Sequence, residues 1–177
     1  MNIQLLDKTF TIFIEKQDIQ NRVKLIAQQI NRDFVGKCPI FLPVLNGAFP
    51  FASDLAKHLT LICEFEFIKI SSYKGDLSAK HQPFIMLGVD SSAIENKDVI
   101  IIEDIVDTGK TMDMLMRYLK QRNPKSITVA CLFHKHNLSP NIHLDYVGFQ
   151  IPDDFIIGYG LDYANLGRNL PDVYKLC

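Results

Sequence analysis

Two adjacent acids, Glu103 and Asp104, follow the apolar run Val99-Ile100-Ile101-Ile102 and precede Asp107-Thr108-Gly109-Lys110-Thr111. These residue types suit a sugar phosphate. Carboxylates are hard oxygen ligands for a magnesium ion and can bond the hydroxyls of a ribose. The turn from Asp107 to Thr111 runs into a helical pattern, and a helix N-terminus offers a phosphate backbone N–H groups and a positive dipole end. Gly109 permits close approach of a ligand to the backbone, and Thr108 and Thr111 add hydroxyl donors. Alone, the two acids fit an N-cap or a surface turn equally well. Placed directly before a phosphate-binding turn, they describe a ribose 5-phosphate site. Gly109-Lys110-Thr111 also ends like a nucleoside-triphosphate loop, but Glu103 or Asp104 stands where that loop needs its first glycine.

These residues need a scaffold, and hydrophobic spacing supplies its outline. Ile19, Val23, Ile26, Ile30 and Phe34 form one helical stripe, with Asp18 as the expected N-cap. The run 40–45 reads as a buried strand, broken at Asn46-Gly47-Ala48 and followed by a short helix through Leu55 and Leu59. The stretch 61–70 reads as one strand, with Cys63, Phe65 and Phe67 on one face. Residues 71–82 are almost devoid of apolar side chains, which suits a working lid or a disordered loop. Strand character resumes over 84–87. The run 99–102 is apolar on both faces, as a central parallel strand must be. A helix is expected from Thr111, with Met112, Leu115, Met116 and Leu119 on one side and Asn123-Pro124 as its stop, and then a buried strand over 128–133. This alternation predicts an α/β fold: an open, mostly parallel twisted sheet flanked by helices. Ligands of such sheets bind outside the carboxyl ends of the strands, where the loop from Glu103 to Gly109 is expected. A single domain over 1–177 is expected, with its core at about 35–145 and a small hood from the N-terminal segment and 146–177.

Bulk composition narrows the partners. The chain has 177 residues, is 47% hydrophobic and carries a net charge of −1, so no strong field advertises a nucleic-acid or membrane partner. Its apolar stretches are far shorter than the roughly 20 residues of a membrane span. No secretory leader is expected, and the four cysteines Cys38, Cys63, Cys131 and Cys177 form no CxxC pair. Cys38, Cys63 and Cys131 lie in or beside apolar runs and read as small core hydrophobes of a cytoplasmic protein.

The stretch from Val99 to Thr111 resembles the phosphoribosyl pyrophosphate motif of the type I phosphoribosyltransferases. The segments Val147-Gly148-Phe149-Gln150-Ile151-Pro152-Asp153, 155–163 and Arg168-Asn169-Leu170 resemble the hypoxanthine-guanine branch, and the likeness covers nearly the whole chain from about Ile40. The resemblance implies transfer of a phosphoribosyl group to a 6-oxopurine base in purine salvage, with Mg²⁺. Glu103 and Asp104 would face the ribose hydroxyls and the metal. Asp107 would lie near the purine N7 as general acid/base, and 108–111 would hold the 5′-phosphate, with Lys110 a ligand or a structural lysine. Asn46-Gly47 would bind pyrophosphate. Relatives commonly carry Lys or Arg at Asn46; a backbone-bound pyrophosphate tolerates that change and a charge-bound one does not. Ser72-Tyr73 match the recurring pair of the family's flexible loop. Phe155 would stack on the purine, backbone groups of Ile156 would bond its edge, and Lys135 would donate to the 6-oxo group. Asp162 would serve the second metal site near the purine 2-position, and Arg168 would reach the pyrophosphate.

The resemblance also implies a homodimer or homotetramer. The competing readings are a P-loop kinase, an adenine-specific transferase, and a regulatory protein that keeps the fold but binds ligand or RNA. The last would need a basic face or a damaged purine site. Neither the near-zero net charge nor the retained Lys135, Phe155, Asp162 and Asp107 provides one.

Overall fold

The structure is a computed structural model that describes residues 2–72, 83–135 and 142–177. Tyr73, with the remainder of the polar stretch to Gln82, lies outside the described residues.

β7 (Asp98–Val106) is the axis of the fold. It pairs in parallel with β3 (Ile40–Leu45) on one side and β8 (Ser126–Lys135) on the other. Val99, Ile100, Ile101 and Ile102 are buried completely, and each such side chain contributes about 1.5–3 kcal/mol on leaving water. The large sheet runs β6-β5-β3-β7-β8-β9, where β9 is Tyr146–Ile151, with β4 (Glu64–Phe65) also on β3. Among the described strands of this sheet, the edge strand β6 (Pro83–Leu87) alone is antiparallel, to β5 (Ile68–Ser72).

Helices cover both faces, as parallel strands require. On one face lie α1 (Lys16–Asp33) and α2 (Phe49–Ala56), which bury Ile19, Val23, Ile26 and Ile30 with Phe51 and Leu55 against Phe41, Ile100 and Ile102. On the other lie α3 (Ser91–Ile94) and α4 (Lys110–Lys120), which bury Met112, Leu115 and Leu119 against Val99, Ile101 and Val129. A second sheet, β1-β2-β11-β10, forms the hood from β1 (Asn2–Leu5), β2 (Lys8–Ile14), β10 (Ile156–Ile157) and β11 (Val173–Leu176). Its small core is Phe10, Ile157 and Tyr174.

Four expectations change. α1 starts earlier than its apolar stripe, with Glu15 as N-cap and Asp18 in the first turn, where an acid still favours the dipole. The expected strand over 61–70 is two pieces, β4 (Glu64–Phe65) and β5, and Phe67 between them is exposed. β7 does not stop at Ile102: it stays paired to β8 through Val106, so Glu103 and Asp104 sit inside a strand. The hood begins later than residue 146, because β9 (Tyr146–Ile151) is the edge strand of the large sheet, parallel to β8.

Candidate active site

The carboxyl end of β7 opens onto two adjoining hollows, the second of which also takes the end of β8 and part of the hood. The first, of about 230 Å³, is lined by Glu103 and by 105–112, which takes in Asp107, Thr108, Gly109, Lys110 and Thr111. Gly109 holds φ at 82°, a conformation side-chain-bearing residues rarely adopt, and so turns the chain into α4. The first turn of α4 thereby presents N–H groups that have no intrahelical acceptor.

The second hollow, of about 350 Å³, collects Asp104, Lys135, Phe155, Ile156, Asp162 and Arg168, with Asp154 and Leu161. Ile105 and Asp107 line both hollows. Successive residues of a strand point to opposite faces, which is how adjacent Glu103 and Asp104 serve different hollows.

Both acids of the pair are buried, at 7% and 8% exposure. Burial, then the neighbouring Asp104 charge, pushes the Glu103 carboxyl well above its ordinary range. Burial also raises Asp104, but a hydrogen bond from Glu103, the Ile105 N–H at 2.8 Å and the nearby Arg168 charge work against it.

Loop 46–48 closes the space beside Asp104. The Leu45–Asn46 peptide is cis, Asn46 is exposed and Gly47 is buried. A methyl group on Gly47 would sit 1.7 Å from Asp104 Oδ2 and 2.5 Å from its Cγ. Gly160 packs on the same loop, since a methyl there would meet the Gly47 carbonyl at 2.0 Å. Tyr159 anchors this packing: its hydroxyl donates to Asp54 Oδ2 at 2.8 Å, and Gln20 donates to the same oxygen at 2.5 Å.

At the far end of the second hollow, Lys135 Nζ donates to Asp153 Oδ1 at 2.8 Å. The Phe155 ring stands half-exposed, edge-to-face with Tyr163 at 5.9 Å and 6.2 Å from Phe10, so it is braced from behind. The Phe155 carbonyl accepts from Leu176 N–H at 3.0 Å, which ties this turn to the hood. Arg168 forms an ion pair with Asp162 and donates to the Gly160 carbonyl at 2.6 Å.

The structure thus brings together 103–111, Lys135, Phe155, Ile156, Asp162 and Arg168, with Gly47 against Asp104. Ser72 ends β5, with its backbone paired to Pro83. Asp162 does not join Glu103 and Asp104 in one cage: among the described residues no three His, Cys, Asp or Glu groups gather to hold a metal. Sequence reasoning passes over Ile105, Asp154, Leu161, Gly160 and the Tyr159–Asp54–Gln20 anchor. Only the unusual density of glycine around Tyr159 hints at close packing there.

Residues 14–164 match the phosphoribosyl transferase domain family. A hypoxanthine-guanine phosphoribosyltransferase of Streptococcus thermophilus is 40% identical over 163 residues, covering 92% of this chain and 90% of the relative. A solved hypoxanthine phosphoribosyltransferase of Staphylococcus aureus superposes with a TM-score of 0.86 at 38% identity, over 94% of this chain and 91% of that one. A hypoxanthine-guanine phosphoribosyltransferase of Bacillus anthracis gives 0.85 at 36% identity, over 94% and 96%. No helix among the described residues is long and apolar enough to cross a membrane.

Proposed function

The chain belongs to the phosphoribosyl transferase family, and from that premise we propose that it works in purine salvage, joining hypoxanthine or guanine to the phosphoribosyl group of phosphoribosyl pyrophosphate. One observation carries the reading for this particular site: Asp107 stands on the wall common to a hollow with an acid and an amide-rich turn and a hollow with a braced aromatic ring and a lysine. A sugar phosphate in the first and a base in the second would meet beside that carboxylate.

Each residue then has a task. The turn 108–111 binds the 5′-phosphate through N–H groups and hydroxyls, with the Lys110 ammonium at the rim. Glu103 and Asp104 bond the ribose hydroxyls. Phe155 carries the purine, the Ile156 backbone bonds its edge, and Lys135 donates to O6. Adenine, with an amino group there, leaves that ammonium unpaired. As the imidazole nitrogen of the base forms its bond to C1′, pyrophosphate leaves with the electron pair of the broken C1′–O bond. Asp107 takes the proton the base gives up. Loop 46–47 and Arg168, a forked cation suited to phosphate oxygens, receive the pyrophosphate. The departure at Asn46 then leaves backbone groups and Arg168 with that work.

The acid pair fits magnesium. Two buried carboxyls are neighbours in β7, and no lysine or arginine of the described residues forms an ion pair with either. A cation that keeps several waters and takes the remaining oxygens from its substrate needs no complete protein cage. Bound there, or beside Asp162, Mg²⁺ would neutralise carboxylate and pyrophosphate charge. The same resemblance carries homodimeric or homotetrameric assembly and a cytoplasmic place, which sedimentation and cell fractionation test.

The deciding experiment is an initial-rate assay with phosphoribosyl pyrophosphate, Mg²⁺ and hypoxanthine, guanine, xanthine or adenine in turn. Pyrophosphate release that depends on hypoxanthine or guanine, with adenine inert, is expected. Preference for adenine, or release independent of any base, overturns the reading.

A further inference from the structure

We infer that Asp153 is a positioning residue for base selection: it holds the Lys135 ammonium at the base end of the second hollow and away from the acids nearer the sugar. The inference rests on the proposed role of Lys135 and assigns its partner.

Lys135 is the last residue of β8, and its side chain is only 12% exposed. It lines the second hollow together with Asp104, Asp107, Asp154 and Asp162. A lysine on a four-carbon stem is mobile, and an ammonium among carboxylates pairs with whichever it can reach. If Lys135 turned to Asp104 or Asp107, it would occupy a group needed for the sugar or for the proton. Asp153 prevents this. It lies just past the end of β9, the strand that pairs in parallel with β8 at Lys135↔Ile151, so both partners leave the sheet at the carboxyl ends of adjacent strands. Its Oδ1 accepts from Nζ at 2.8 Å.

The burial of the pair is lopsided: Asp153 is 66% exposed while Lys135 is nearly covered. An exposed ion pair adds little to stability, so its effect falls on where the ammonium sits. One of three donors is committed to Asp153, which leaves two for a purine oxygen and water. The pair also spans the chain from the end of β8 to the turn that carries Asp154, Phe155 and Ile156, so it sets the spacing between the O6 donor and the stacking ring.

The test compares Asp153→Ala, Asp153→Glu, Lys135→Met and the Asp153→Ala/Lys135→Met double variant, in the full-length enzyme. For Asp153→Ala the expected result is a rise of about tenfold in KM for hypoxanthine and guanine. The KM for phosphoribosyl pyrophosphate should change less than about twofold, Tm should be unchanged, and Asp153→Glu should recover most of the loss. The double variant should be no worse than Lys135→Met alone, because Asp153 acts only through that lysine. A full additional loss of about tenfold in the double variant, or an unaltered KM in Asp153→Ala while Lys135→Met is impaired, overturns the inference and leaves the lysine's role standing. Unaltered base selection in Lys135→Met removes the underlying role itself.

Discussion

A single methyl group at position 47 separates a shaped active site from a generic turn. In Gly47→Ala the new carbon would lie 1.7 Å from Asp104 Oδ2, whereas real Cβ contacts essentially never come under 3.0 Å. The carboxylate cannot simply rotate away, because Asp104 Cγ is also too near at 2.5 Å and Oδ1 accepts the Ile105 N–H at 2.8 Å. The loop cannot retreat either, because Gly160 leaves no room above the Gly47 carbonyl. Loop and acid must therefore separate by more than about 1 Å, and a misplacement of about 1 Å costs about 100-fold in rate. The expected fall in kcat/KM for phosphoribosyl pyrophosphate is thus about 2.7 kcal/mol. The overpacking itself should cost about 1–3 kcal/mol of stability. Steady-state kinetics with hypoxanthine and a thermal melt measure both. Gly36→Ala is the control: its added methyl meets nothing within 4 Å, although φ is 73°, so it should lose some stability and no activity. A Gly47→Ala enzyme within about threefold of the parent in kcat/KM would refute the packing argument.

Other perturbations follow from the same geometry. Asp107→Asn should lower kcat at least about 100-fold while donor affinity, read by calorimetry, stays within about threefold, because the amide cannot take the base's proton. Removing both charges of the acid pair, in Glu103→Gln/Asp104→Asn, should raise Tm at about pH 7–8. Burial lifts both carboxyls above their unfolded values, so their ionisation opposes folding as pH rises through the unfolded range, and the gain should disappear near about pH 4. Asp98→Asn should do the opposite. The hydrogen bond from Ser126 at 2.6 Å, then Lys125, lowers the Asp98 acid, so its stabilisation is complete above the unfolded value of 3.8 and is lost as pH falls through the lower folded value. A loss of about 1 kcal/mol at neutral pH, or about 2–4 °C in Tm, should shrink towards zero in strong acid.

How much of this is legible depends on how local the signal is. The central strand and the phosphate turn lie in one stretch from Val99 to Thr111, so composition and order are enough to place them, and Gly109 marks the helix entry. The reach of β7 is not legible. Charged residues ordinarily end a buried strand, but Glu103 and Asp104 stay inside because β8 continues the ladder and each acid opens onto a hollow. Strand β9 alternates weakly and so reads as part of the hood. Its place beside β8 depends on Gly148, where a methyl would meet the Leu132 carbonyl at 2.4 Å. The Gly47–Gly160 contact and the Tyr159–Asp54 anchor join residues far apart in the chain, and no periodicity records such a pairing. Asp162 and Arg168 are placed by their order in a recognisable segment, but their mutual ion pair becomes visible only in three dimensions.

The central claim is that a buried acid pair beside an amide-lined turn grips an activated sugar phosphate. Calorimetric titration of phosphoribosyl pyrophosphate, with and without Mg²⁺, into the parent and Glu103→Gln/Asp104→Asn proteins tests it most directly. Binding that needs Mg²⁺ and weakens at least about tenfold in the variant is expected. Equal affinity in the two proteins, or binding indifferent to Mg²⁺, would contradict the account.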